Sequence, residues 1–297
     1  MAAGSVALAA GLDRLVAEPP AALHPVAWLG RALGPLDREW RHPRLAGAAV
    51  ALAVPLFVAV AVAAVVTLGV RLDPRIGAVL AGLGCFAATS RRMLLDEALA
   101  VVAASDTDLS AARTRLRALA GRDATDLNAG EVRSAAVESA AENLSDGLVA
   151  PLAGFALFAP VSLPAAAGAA AWVKAVNTLD STFGYRSIPM GWAPARLDDI
   201  VMWVPARVSA VLLAVVAGRP AALRAARPFA RRPASPNAGW PMATLAVVLG
   251  VRLTKDGAYD LCPSASHPTP AEAERGVAVV SRAGWLAFGL TGVVALC

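Results

Sequence analysis

Charged residues are scarce in this chain. They make up 16% of its 297 residues, whereas hydrophobic residues make up 57%, and the mean hydropathy is +0.58. Soluble domains carry a charge at about a quarter of their positions, so the composition excludes an ordinary soluble protein. Cysteine is scarce as well. Cys85, Cys262 and Cys297 are scattered and form no CxxC pair, which argues against a disulfide framework or a zinc ribbon.

Three further patterns are missing. Strand-type segments are nearly absent, because the apolar stretches are long and rich in Ala and Leu. The first apolar run lacks a basic segment before it, which predicts a retained membrane or interfacial helix rather than a cleaved signal peptide. No GxxxxGK[ST] sequence occurs, so no familiar phosphate-binding loop can be claimed.

Long uncharged runs stand in place of these patterns. Residues 45–70 carry no charge over 26 positions, and at about 1.5 Å per residue they can cross a hydrocarbon core of about 30 Å. Further uncharged runs cover residues 76–90, 147–173, 233–251 and 283–297. We predict an all-α, polytopic integral membrane protein with four to six membrane segments. Residues 1–297 would form a single membrane domain, with 91–146 as a water-facing helical insert.

The basic residues cluster in one short connection. It contains Arg219, Arg224, Arg227, Arg231 and Arg232, in a chain of net charge +5. Nucleic-acid binding would require interleaved aromatic residues, and only Phe229 is present. The cluster instead indicates a cytoplasmic loop beside anionic lipid headgroups in the cell membrane.

An acidic pattern marks the predicted helix over about residues 128–145. Glu138, Glu142 and Asp146 recur at four-residue steps and would form one stripe along it. One interpretation is an exposed acidic face whose negative charge is balanced by Arg133 and other arginines. The other is a site for hydrated Mg²⁺, which is commonly held by one or two carboxylates and substrate phosphate oxygens.

A second polar block, residues 174–207, lies between apolar runs. Ionisable residues near hydrocarbon are costly and point to function. Asp198 and Asp199 fall in the first turns of a helix, where the macrodipole explains one aspartate but not both. Lys174 is one of two lysines beside 25 arginines, which favours a role for a compact or titratable amine, with a snorkelling lysine as the alternative.

Prolines interrupt the apolar run between the two polar zones. Broken membrane segments often line ligand cavities, since unwound backbone needs polar partners. The sequence therefore predicts one site that contains Glu138 to Asp146 on one side and Lys174 to Asp199 on the other.

The sequence of these blocks resembles that of the adenosylcobinamide-phosphate synthases, the CbiB/CobD-type membrane proteins of cobalamin biosynthesis. The resemblance covers most of the chain and rests on five stretches. They are EPPAALHPVAWLGRAL, GRDATDLNAGEVRSAAVESAAENLSDGLVAPL, KAVNTLDSTFGY, ARLDDIVMWVPAR and SPNAGWPMA. The chain departs from the family's sequence pattern at Glu18, where Asp is frequent, and at Leu144 and Ser145, which replace Thr-Val. A short Cys- and His-containing loop also replaces a longer segment at 261–270.

The resemblance implies amide formation between adenosylcobyric acid and aminopropanol or its O-phosphate, with ATP and Mg²⁺ expected. It also implies association with later cobalamin-assembly enzymes. Glu138, Glu142, Asp146 and Asp198 would hold Mg²⁺, and Lys174, Asp198, Asp199 and Glu142 would be catalytic. Lys174, Arg196 and Arg207 would clamp phosphate, and Asn143, Asn177, Asp180 and Asn237 would orient substrate amides.

Two alternatives stay open. His24 would be a general base for the incoming ammonium, or a structural histidine before Pro25. The protein as a whole would be the amide synthase, or a non-catalytic membrane protein that binds, transports or senses a polar anionic ligand.

Overall fold

The computed structural model describes residues 1–20, 22–36, 38–184 and 188–296, except for the side chain of Ala118. Within those residues the regular secondary structure is almost all helix, with two strands of three residues each, which confirms the predicted all-α fold. The helices are α1 (Ala2–Val16), α2 (Pro25–Leu33), α3 (Pro43–Leu72), α4 (Pro74–Ala88), α5 (Arg92–Thr107), α6 (Leu109–Leu119), α7 (Ala129–Asn143), α8 (Ala150–Phe158), α9 (Leu163–Phe183), α10 (Trp192–Val201), α11 (Trp203–Val216), α12 (Ala222–Ala226), α13 (Gly239–Leu249) and α14 (Pro270–Val294). A 3₁₀ turn covers Gly34–Leu36, a π-helical turn covers Leu144–Val149, and two short strands are β1 (Leu253–Lys255) and β2 (Tyr259–Leu261).

Local sequence explains where several helices begin. Proline occupies the first turn of α2, α3, α4 and α9, where a missing N–H costs nothing. The Asp73 side chain accepts a hydrogen bond from Arg75 N at 2.6 Å and caps α4. Asn128 and Glu131 form a capping box at the start of α7, with reciprocal bonds of 3.0 and 2.8 Å. These starts are encoded within a few residues.

Three helical segments have the length and hydropathy of membrane spans. They are α3, the succession Pro74–Thr107 and α14, and the bent pair α10–α11 adds a fourth. The described residues therefore support three or four spans, which is below or at the lower end of the predicted four to six. The run 147–173 is divided into α8 and α9 around Pro160, and 233–251 provides only the 11-residue α13. Only 17% of the apolar window of α3 is buried, as expected for a helix that faces lipid.

The first of two compact units comprises Met1–Ser90, Asp146–Met202 and the C-terminal part from Ala287. Small residues let its helices approach closely, as is common in membranes. A Cβ added at Gly168 of α9 would lie 2.9 Å from the Ala59 carbonyl oxygen of α3, and one at Gly82 of α4 would lie 3.0 Å from the Ser5 carbonyl oxygen of α1. These contacts place α9, which carries Lys174, directly against α3.

The second unit comprises Arg91–Ser145 and Trp203–Leu286. Its central helix is α7, which is buried on most of its surface between α5, α6, α13 and β1. The antiparallel hairpin β1–β2 pairs Leu253 with Leu261 and turns at Gly257, whose φ of +66° suits glycine. Arg252 and Asp260 join across the hairpin base at 2.9 and 2.7 Å.

Candidate functional site

The first unit gathers most of the residues predicted in the block 174–207. Lys174, Asn177 and Asp180 follow one another at three-residue steps on α9. The ammonium of Lys174 interacts electrostatically with the carboxylates of Glu18 and Asp146. Burial lowers the pKa of Lys174, and the two carboxylates act in the opposite direction. Lys174 is thus a partly buried amine facing two acidic residues.

The prediction that Asp198 and Asp199 fall in the first turns of a helix is wrong, because α10 begins at Trp192 and its first turn has no acidic residue. Asp198 is instead the seventh of its ten residues, and the other acidic side chains act on it. The charges of Asp146, Asp180 and Asp199 act on it, and its carboxylate accepts a hydrogen bond from Asn177. Its Oδ1 is buried and has no hydrogen-bond partner among the described residues. A bare buried carboxylate oxygen beside other carboxylates is costly unless a donor or cation reaches it. We call these residues and Lys174 the Asp198 cluster (Asp146, Lys174, Asn177, Asp180, Asp198 and Asp199).

His24 has a structural role. Its Nδ1 accepts a hydrogen bond from Val26 N at 3.2 Å and caps α2. Because Nδ1 is the acceptor, a neutral ring carries its proton on Nε2, which lies 3.5 Å from Glu18 Oε2. Neither nitrogen is left to accept a substrate proton, so the geometry favours the structural alternative over a general base. His24 instead positions Glu18, whose charge acts on Lys174.

The acidic stripe does not continue as one regular helical face. The π-helical turn at Leu144–Val149 lies between Glu142 and Asp146, and its wider turn shifts the register that four-residue spacing assumes. Asp146 belongs to the first unit and faces Lys174 and Asp198, whereas Glu138 and Glu142 belong to the second. The union of all three in one magnesium site stays a prediction.

Glu138 is engaged in a buried network of the second unit. Its side chain is 1% exposed and pairs with Arg122 at 2.6 Å. Ser134 and Tyr259 each donate a hydrogen bond to it, also at 2.6 Å. Burial and the negative charge of Glu138 raise the pKa of the Tyr259 phenol. The expected exposed acidic face answered by Arg133 is wrong for Glu138: Arg133 bonds Asp106 at 2.7 Å, and Arg122 is the partner of Glu138.

Glu142 and Asn143 lie near this network. Both line a cavity of the second unit, and Glu142 contributes to the electrostatics of Tyr259. The Asn143 amide donates to the Ser139 carbonyl oxygen at 3.0 Å, within its own helix. These two predicted residues therefore face a cavity formed by Leu119–Arg122, α7, α13 and the hairpin.

Arg207 and Asn237 form another interaction within the second unit. Arg207 Nη1 donates to Asn237 Oδ1 at 3.0 Å and to the Trp203 carbonyl oxygen at 2.7 Å. The Arg207 guanidinium also stacks on the rings of Trp203 and Trp240, at 4.2 and 5.1 Å. Protein groups thus use both Nη1 hydrogens of Arg207, and Nη2 donates to the Pro236 carbonyl oxygen at 3.3 Å, so Arg207 anchors the 235–240 segment. The phosphate clamp at Arg207 stays a prediction.

Arg196 makes only a weak interaction. Its guanidinium lies 3.8 Å from Asp199 in an i,i+3 pair, and its side chain is 58% exposed. Exposed pairs of this kind contribute little to stability. Arg196 is therefore available at the surface beside the Asp198 cluster.

The described residues contain no group of three or more His, Cys, Asp or Glu side chains arranged to hold a metal ion by themselves. Mg²⁺ does not require such a group, since it commonly keeps water and substrate phosphate oxygens as ligands. The buried Oδ1 of Asp198, with the charge of Asp146 acting on it, fits one hard cation completed by a ligand.

Sequence reasoning missed three residues that shape these sites. Glu18 was noted only as a departure from the family wording, although it links His24 to Lys174. Arg122 and Tyr259 were not singled out, because their partner Glu138 is 16 and 121 positions away. The motif GRDAT, which contains Arg122, was the available signal.

The fold and the Asp198 cluster define a polytopic all-α membrane protein with a cluster of ionisable residues on α9, α10 and the π-helical turn. The model of the family described as CobD/Cbib protein matches residues 6–284. The chain is 36% identical to the cobalamin biosynthesis protein CobD of Rhodobacter capsulatus, over 99% of this chain and 96% of the relative. It is 33% identical to the probable cobalamin biosynthesis protein CobD of Methanothrix thermoacetophila, over 97% and 95%.

A third relative, the probable cobalamin biosynthesis protein CobD of Methanothermobacter thermautotrophicus, is 37% identical over 86% of this chain and 84% of the relative. No solved structure matches the chain. The chain therefore belongs to the CobD/CbiB family, and it is a membrane protein of cobalamin biosynthesis.

Proposed function

We propose that this protein is a carbon–nitrogen ligase that joins adenosylcobyric acid to aminopropanol or its O-phosphate. The product is adenosylcobinamide or its phosphate. Family membership supports the pathway, and the Asp198 cluster is the observation that carries the reaction. A buried carboxylate with a bare oxygen, linked through Asp146 to a partly buried lysine, is suited to binding a cation and a phosphate-bearing group together.

The reaction forms one C–N bond. The substrate carboxyl carbon loses a C–O bond, the ammonium nitrogen gives up two protons and keeps the third as the amide N–H, and the departing oxygen leaves with phosphate. ATP would supply the driving force by activating the carboxylate as an acyl phosphate, and Mg²⁺, held by residues of the Asp198 cluster, would offset the phosphate charge. The chain must therefore hold anionic oxygens, orient the corrinoid carboxyl group and exclude competing water.

The Asp198 cluster supplies residues that bind charge and residues that orient the substrate. Lys174 places a positive charge where anionic oxygens gather, held between Glu18 and Asp146. Asp146 and Asp198 are the residues that would hold Mg²⁺. Asn177, which already bonds Asp198, is placed to orient a substrate amide. Asp180 and Asp199 add negative charge that keeps a cation in the site.

The proposed setting is the cell membrane, with the site facing the cytoplasm. Arg224, Arg227 and Arg231 are exposed in the connection after α11, where they favour contact with anionic lipid. Arg219 and Arg232 instead bond the carbonyl oxygens of Val248 and Asp260. A corrinoid pathway of successive enzymes makes association with a later assembly enzyme part of this proposal.

The test is reconstitution. Detergent-purified protein receives adenosylcobyric acid, ATP and Mg²⁺, with aminopropanol or its O-phosphate in parallel reactions, and the amide is detected by mass spectrometry. We expect product, with the preferred amine identified by rate. No product with either amine, together with tight corrinoid binding, would overturn the ligase and favour a non-catalytic binding or transport protein.

Two variants address the cluster. Asp198→Asn and Lys174→Ala should each lower the rate by about 10²-fold or more, because each removes a charge aimed at the reacting groups. Asp96→Asn, an exposed aspartate paired with Arg92 at 3.3 Å, is the matched control and should react normally. Gel filtration checks folding of each variant. Normal rates for both cluster variants would show that the reacting groups lie elsewhere.

A further inference from the structure

The second unit contains a cavity of about 330 Å³ that lies outside the Asp198 cluster. Its wall comes from the turn after α6, the C-terminal half of α7, the 233–235 turn, α13 and the β1–β2 hairpin. All of these segments belong to one compact unit. The volume is at the lower end of the range for ligand sites, so it suits a small molecule and is far too small for a corrinoid.

One side of the cavity is rigid and charged. Arg122 is held there by Glu138 and by the Thr254 carbonyl oxygen, at 2.6 and 3.2 Å. Those bonds leave the Nε–H and one Nη1–H of Arg122 without a partner among the described residues. Tyr259 donates its hydroxyl hydrogen to Glu138 and fixes the phenol against the same side. Arg122 thus offers preorganised donors, and its charge is largely balanced by Glu138.

Two further charges of opposite sign line the cavity from different elements. Glu142 projects from α7, and Lys255 lies at the exposed end of β1. Within the described part of the chain, Lys255 makes no ion pair. The cavity therefore has an acidic side and a basic side, and a ligand with charges of both signs is complementary to this arrangement.

We propose that this cavity binds a small zwitterion, a primary amine that also carries a phosphate group. Glu142 receives the ammonium, and Lys255 with the outer N–H groups of Arg122 binds the phosphate. The assignment rests on the proposed function in one respect, because its amine co-substrate is a compound of this class. It places the recognition of that amine in the second unit.

Binding is measured by isothermal titration calorimetry on the full chain in detergent, without ATP or corrinoid. The ligands are aminopropanol phosphate, aminopropanol and inorganic phosphate. Lys255→Met should weaken the binding of aminopropanol phosphate and of inorganic phosphate by about tenfold. It should leave the binding of aminopropanol nearly unchanged. Glu142→Gln should weaken the binding of both amines and leave the binding of inorganic phosphate unchanged. The crossed pattern is the signature of two oppositely charged subsites.

Arg115→Met is the matched control, since Arg115 is exposed, pairs with Glu97 at 3.4 Å and does not line the cavity. It loses the same charge as Lys255→Met and should bind all three ligands as the parent does. Lys255→Arg keeps the charge and should retain most of the phosphate binding. The site is overturned if the parent chain does not bind aminopropanol phosphate, or if the Lys255 and Glu142 variants bind it normally.

A labelling experiment gives an answer even if a variant folds poorly. The chain has two lysines, so acetylation by an N-hydroxysuccinimide ester can be followed at each by mass spectrometry. Inorganic phosphate should slow acetylation of Lys255, and the unrelated anion chloride at equal ionic strength should not. Equal rates in both salts would contradict the phosphate subsite.

Failure of this inference can be separated from failure of the ligase. If Lys255→Met weakens phosphate binding and Glu142→Gln weakens amine binding but no amide forms, the cavity site is supported and the proposed reaction is refuted. If amide forms and both Lys255→Met and Glu142→Gln have the KM of the parent for the amine, the reaction is supported and the cavity site is refuted.

Discussion

The buried pair of Glu138 and Arg122 allows a sharp test of the second unit. Arg122→Met removes the positive charge and keeps a side chain of similar length. Glu138 is then left 1% exposed with hydrogen bonds only from Ser134 and Tyr259. Breaking a buried pair from one side costs about 3–5 kcal/mol. Because two donors still bond Glu138, we expect the lower value, about 3 kcal/mol.

The assay is thermal unfolding of the purified protein in detergent. A loss of about 3 kcal/mol corresponds to a fall in Tm of about 6–12 °C for a chain of this size class. The double variant Arg122→Met/Glu138→Gln removes the uncompensated charge as well, so its Tm should recover part of that fall. A single variant within about 2 °C of the parent, or a double variant less stable than the single, would refute the reasoning.

The same network predicts a pH dependence. Burial and Glu138 raise the pKa of Tyr259 above its ordinary value of 10.0. A group whose folded-state pKa is raised contributes stability below the unfolded-state pKa, and that stability is lost as the pH rises above it. Tm should therefore show no Tyr259-dependent fall below pH 9 and should fall above about pH 10. Tyr259→Phe should lack the alkaline fall, and an identical fall in this variant would contradict the assignment.

Two predictions concern the first unit. His24→Ala removes the cap of α2 and should lower stability by about 1 kcal/mol, whereas His24→Asn keeps a capping side chain and should lie closer to the parent in Tm; equal loss in both would show that the cap is not the cause. Gly168→Ala would bring a Cβ within 2.9 Å of a carbonyl oxygen of α3 and should cost about 1–3 kcal/mol. Gly84→Ala is its matched control, with a Cβ 3.7 Å from the nearest atom, so it should be neutral or slightly stabilising in the same Tm measurement.

Local patterns in the sequence were sufficient for much of the fold. The uncharged run 45–70 predicted a span and lies within α3, and the predicted helix over about 128–145 corresponds to α7. Both succeed because length, hydropathy and caps act over neighbouring residues. The count of spans was less accurate, since prolines divide 147–173 into α8 and α9 and composition does not show how sharply a chain turns.

The candidate site was only partly accessible from sequence. The spacing of Lys174, Asn177 and Asp180 on one helix was apparent, and the structure adds that Glu18 and Asp146 face Lys174. The acidic stripe misled, because equal spacing assumes an unbroken α-helix and a π-helical turn intervenes after Glu142. Nothing within four residues of Glu142 announces that turn.

The sequence by itself determined the class of the protein, an all-α membrane protein of cobalamin biosynthesis, because composition, uncharged runs and family motifs are properties of the linear chain. Only the tertiary structure decided which charges meet. Arg122 and Glu138 are 16 positions apart and Tyr259 is a further 121 from Glu138, yet all three share one network. Pairing over such separations depends on how the helices pack, and packing is a property of the folded chain as a whole.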